Sequence, residues 1–116
     1  MAIEFVTQQP NSLLAKFDAA VTQTEPKGKI TTWEKSEDGI YYTHKSVEWN
    51  KKAWLKPASG AGRLVFNIIK PKNTNISSTV YGYYHGHLIE TFLNHFDTDF
   101  TEGKATAKAT SDDSCG

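Results

Sequence analysis

From Ser78 to Phe100 the large apolar residues recur with the rhythm of an α-helix. Tyr81, Tyr84, Leu88, Ile89, Phe92 and Phe96 are separated by three, four, one, three and four positions, which places them along one stripe of a helical surface. Ser77 or Ser78 can cap the start, because a serine oxygen accepts a free first-turn N–H. Asp97 is unfavourable at a helix C-terminus, where the backbone dipole favours cations. The helix is therefore predicted to end near Phe96. A competing reading takes Ile76 to Tyr84, rich in β-branched and aromatic residues, as a strand that leads into a helix near Gly86. The longer helix is preferred.

Upstream the pattern is shorter and more broken. Ile3, Phe5 and Val6 suggest an edge strand or an anchoring arm. Leu13, Leu14, Phe17, Ala20 and Val21 fall on one face of a helix predicted over about 12–23, with Asn11 or Ser12 as its cap. Pro26 and Gly28 end it. Four strand-like stretches follow: Lys29 to Lys35, Ile40 to Val47, Ala53 to Lys56 and Arg63 to Lys70. Glu37-Asp38-Gly39 is a turn signal between the first two. Pro57 to Gly62 reads as a loop of small residues. Leu64, Val65, Phe66, Ile68 and Ile69 make the fourth stretch the most apolar, which suits the centre of a sheet. Successive strands joined by short loops pair antiparallel. The predicted fold class is thus α+β: a four-stranded antiparallel meander with two helices on one face, in the order α-β-β-β-β-α.

After Phe100 no large apolar residue remains, so little is available to offset the entropy of ordering the chain. Lys104 to Thr110 is a candidate edge strand. Residues 1–110 are expected to form one domain and 111–116 a flexible tail. A length of 116 residues suits a single domain with a modest core.

The formal net charge is zero, but it is unevenly spread. Residues 1–44 carry −2, residues 45–72 carry +6 and residues 73–116 carry −4. The basic middle holds Lys45, Lys51, Lys52, Lys56, Arg63, Lys70 and Lys72, with Trp49 and Trp54 among them. Exposed aromatics within basic surface suit single-stranded nucleic acid through stacking and phosphate neutralisation. They also suit an acidic protein partner, and lysines on a strand edge serve simply to prevent sheet-to-sheet pairing. Lys45, Trp49, Lys51, Lys52, Trp54 and Arg63 are the interaction candidates. One cysteine, Cys115, allows no internal disulfide. Neither a signal peptide nor an apolar run of membrane-spanning length is legible. A cytoplasmic location is the expectation.

Three of the four histidines, His85, His87 and His95, lie in the helical run. On a helix, His85 is about 200° from His87 and His95 is about 80° from it. At best two of these form a ligand pair, whereas zinc needs three or four ligands, and only His44 could add another. No metal and no cofactor is expected. GxSxG, GxGxxG and P-loop patterns are absent, so no catalytic residue is assigned. Tyr42, Tyr84 and His85 are candidates to line a ligand pocket between the long helix and the sheet. Gly82 and Gly86 leave a flat spot on the helix, read as close packing of its backbone on the sheet or as a partner contact.

The run Tyr83-Tyr84-His85-Gly86-His87-Leu88-Ile89-Glu90, continuing to Asn94-His95-Phe96, resembles small bacterial proteins of uncharacterised function. The likeness covers about twenty residues and implies no activity. The leading expectation is a protein-interaction domain without enzymatic activity that binds a protein partner or itself, as a homodimer. The alternatives are a small-molecule-binding or enzymatic domain using the helix–sheet pocket, and nucleic-acid binding through residues 45–72.

Overall fold

A computed structural model describes residues 3–116. The elements follow in the order β1 (Ile3–Val6), α1 (Pro10–Thr22), β2 (Trp33–Lys35), β3 (Tyr42–His44), β4 (Trp54–Gly60), β5 (Arg63–Ile69), α2 (Ser78–Phe96) and β6 (Glu102–Ala105). The class is α+β, with two helices and a six-stranded sheet in the spatial order β2-β3-β4-β5-β1-β6. Every strand pairing is antiparallel.

The four-stranded meander is present as β2-β3-β4-β5, but the count of four is too small. Two short strands extend it. β1 is an inner strand, not an edge: Phe5 stands opposite Leu64 on one side and Gly103 on the other. β6 has no apolar pattern to announce it. Its Gly103 suits the packing, because a Cβ there would sit a tight 3.1 Å from the Phe5 ring. The predicted loop at 57–62 is also shorter than expected. β4 runs through Pro57 to Gly60, and Ala61-Gly62 alone makes the hairpin turn, with Gly62 at φ 72°. Pro57 is tolerated because β3 pairs with β4 only at Tyr42↔Leu55, so the flank beyond needs no donor.

Both helices cover one face of the sheet. Phe17 of α1 and Phe92 of α2 lie 5.1 Å apart, and each is 5.7 Å from Phe66 of β5. Phe92 also stacks on Phe5 at 4.1 Å. These rings are fully buried, and each contributes roughly 1.5–3 kcal/mol by leaving water. Helix α2 begins as the spacing predicts, with Ser77 Oγ accepting from Val80 N, and ends at Phe96. Helix α1 begins earlier than expected. Gln9 is the N-cap and makes no side-chain cap bond, so neither Asn11 nor Ser12 caps it. Pro10 takes the first helical position, where a missing N–H costs nothing.

The residues expected to form a mobile tail lie along β5. β1 pairs with β5 only up to Phe66, which leaves the end of β5 open on that side. Ile68 N donates to Asp113 Oδ1, Ser114 N donates to Ile68 O, and Lys70 N donates to Ser114 O. Ile76 N then donates to Cys115 O. Three backbone hydrogen bonds and one to the Asp113 carboxylate thus do here what apolar side chains do elsewhere.

Candidate functional site

The helices lie on one face of the sheet; on the other, Thr43, Val65 and Asn67 are buried but the positions around Tyr41 and Trp54 are partly open. Successive residues of a strand point to opposite faces, so the positions between the core residues emerge there. Tyr41, Trp54 and Ile69 form the floor of a groove of about 770 Å³ at the β2–β5 end of this face. The Tyr41 and Trp54 rings meet edge to face at 6.3 Å. Trp54 is held opposite Ile69 by the β4–β5 register. All three floor residues are half-buried.

The charged lining is partly segregated: the carboxylates come from β2 and its turn, Lys70 and Lys72 from beyond β5, while Lys35 and Lys51 adjoin Glu34. Glu34, Glu37 and Asp38 come from β2 and the turn after it, at the edge of the sheet. Lys51 comes from the turn before β4, and Lys70 and Lys72 from the stretch after β5. The acidic turn is rigidly built. Asp38 Oδ1 accepts from Ser36 Oγ and from Ile40 N at 3.0 Å, and Gly39 takes φ 77°. The hydrogen bond from Ser36, then that from Ile40, hold the Asp38 carboxyl below its usual range. Glu34 accepts from Asn50 Nδ2 at 2.6 Å. Lys35 also lines the groove, but its Nζ is 2.7 Å from Asp18 Oδ1. Among the described residues Lys51, Lys70 and Lys72 make no ion pair with a carboxylate. They are the groove's free cations.

The sequence candidates divide among three places. Lys51 and Trp54 are in the groove. Trp49 lies over α2, stacked at 3.7 Å on Tyr83, which in turn stacks at 4.0 Å on His87. Arg63 is at the far end of β5 and pairs with Glu4 at 2.9 Å; that pairing is the main cause of the lowered Glu4 pKa. Lys45 and Lys52 are exposed and outside the groove lining. The basic middle of the sequence is therefore dispersed. Tyr41, Ile69, Lys70 and Lys72 complete the groove, and alternation on the strands is the signal that could have grouped Tyr41 with Trp54.

Tyr42, Tyr84 and His85 do not converge on a helix–sheet pocket. Their side chains are at most 3% exposed and each is engaged separately. Tyr42 donates its hydroxyl to Asp18 Oδ1. Burial, then that carboxylate, push the Tyr42 phenol far up. The Tyr84 hydroxyl reaches Trp49 O and Thr43 Oγ1, filling the gap that the brief β3–β4 pairing leaves. His85 Nδ1 faces Tyr81 O; a carbonyl only accepts, so Nδ1 carries the proton. Its ring stacks on Tyr81 at 3.8 Å.

His44 and His87 do meet, edge to face at 5.3 Å, while His95 is exposed. Ser46 N donates to His44 Nδ1, so the His44 proton is on Nε2, which is buried without a partner. That tautomer presents a donor where a metal would need a lone pair. Burial, then His87, lower the His44 pKa; burial also lowers that of His85, against the Tyr81 bond. Among the described residues no group of three or more His, Cys, Asp or Glu side chains could hold a metal. Among the described residues no helix is long and apolar enough to cross a membrane. No family model, no curated protein and no solved structure matches this chain.

Proposed function

We propose that the protein is an interaction module that binds a protein segment in the groove on the face of its sheet away from the helices. One observation carries this reading: Tyr41 and Trp54, half-buried and in ring contact, line a groove together with carboxylates of β2 and its turn and with Lys51, Lys70 and Lys72. Half-buried aromatics flanked by charge are the kind of surface that anchors a peptide, because the ring supplies contact area at little entropic cost. The partly segregated charges set its direction and register. Nucleic acid suits the groove less well, since Glu34, Glu37 and Asp38 would repel phosphates.

The test is selection from a displayed library of random peptides. The wild-type protein should enrich peptides that carry both charge signs around an apolar residue. The double variant Tyr41→Ala/Trp54→Ala should retain its circular dichroism and lose those peptides. Retention of the same peptides by the double variant would place recognition elsewhere.

A further inference from the structure

The two walls of the groove invite a particular occupant. The acidic wall is a projecting turn, Ser36 to Gly39, whose Glu37 and Asp38 are exposed. Ile40, on the same turn, is 47% exposed, one of the few large apolar side chains left in water. This turn therefore has the three features that the groove is suited to receive: negative charge for Lys51, Lys70 and Lys72, an apolar side chain for the Tyr41–Trp54 floor, and a rigid shape set by the Asp38 hydrogen bonds. A chain cannot fold its own turn into its own groove here, because the turn is itself part of the groove's rim. A second copy can offer it.

We propose that the groove's occupant is the 36–40 turn of a second copy of this chain, exchanged reciprocally about a two-fold axis. The inference rests on the reading of the groove as a peptide-binding site and names its partner. Two-fold symmetry makes the acidic turn of each copy meet the basic wall of the other, so one complementary contact is made twice. Opposite charges on one patch are what such self-recognition needs, whereas a patch of one sign would repel its own copy. The zero net charge of the chain puts no overall repulsion in the way.

Sedimentation velocity of the full chain and two charge-reversed variants tests this. At roughly 100 µM, a concentration that populates even a weak micromolar complex, the wild type should sediment as a dimer. Lys70→Glu/Lys72→Glu and, separately, Glu37→Lys should each weaken association by about tenfold or more. Both sets of positions are on the surface, and Asp38, which holds the turn together, is left unchanged. An equimolar mixture of the two variants should restore the dimer, because the reversed turn then faces the reversed wall. A wild type that stays monomeric overturns the proposal, as does a dimer indifferent to both reversals. A monomer that still enriches peptides through Tyr41 and Trp54 would refute the second copy and keep the groove.

Discussion

The two faces of the sheet share strands but not physics. Tyr41 and Tyr42 are consecutive, yet Tyr42 is 3% exposed and locked to Asp18, while Tyr41 lies in an open groove beside Trp54. On the covered face Phe5, Phe17, Phe66 and Phe92 fill one another's contacts. On the open face charges surround a small aromatic floor whose contacts are incomplete. The difference teaches that aromatic content alone does not mark a site. Helix cover decides which rings stabilise the fold and which remain available.

The sharpest way to break this comparison is to truncate one ring on each face. Phe92→Ala should cost about 3–5 kcal/mol, because Phe5, Phe17 and Phe66 cannot all collapse into the space. Trp54→Ala should cost less than half of that in the same urea titration, since solvent already reaches it. Equal losses would erase the distinction between the faces.

A smaller effect should follow pH. His44 and His85 have folded-state pKa values below their ordinary one. Below about pH 6.5 the unfolded chain takes up protons that the folded chain does not, so stability is full above that value and falls as pH drops through it. Denaturation midpoints measured between about pH 7.5 and 5.5, above the carboxylate range, should decline steadily. A flat profile would mean that the two imidazoles ionise freely in place.

The smallest effect concerns Gly82 and Gly86. They were expected to pack the α2 backbone against the sheet, but a Cβ at either would meet nothing within 4 Å. Gly86→Ala should therefore raise stability by about 0.5–1 kcal/mol through helix propensity alone. A loss on thermal melting would indicate that something covers this notch in solution.

Much of the covered face was legible in the sequence, because helical spacing from Tyr81 to Phe96 and the Glu37-Asp38-Gly39 turn are local signals. Thr91 was not: nothing local says that its hydroxyl accepts from Trp33 Nε1 while donating to His87 O. β6 was placed two residues late, because Glu102 to Ala105 has neither apolar alternation nor strong strand propensity and pairs only because β1 offers an edge. Residues 111–116 looked too polar to order, yet they dock through backbone groups and the Asp113 carboxylate, which composition does not reveal. The groove was half visible. Trp54 and Lys51 stood out by type, but Lys70, Lys72 and Tyr41 join them only once the strand order is known.

The place of β1 carries a consequence for synthesis. Phe5 and its neighbour Gly103 lie far apart along the chain. As the chain is made, β1 can join β5 but waits with one flank bare until β6 follows. Such distant pairing slows folding, and an unfinished edge is an invitation to wrong neighbours. Production at low temperature, with slower translation and weaker hydrophobic association, should accordingly favour correctly closed molecules.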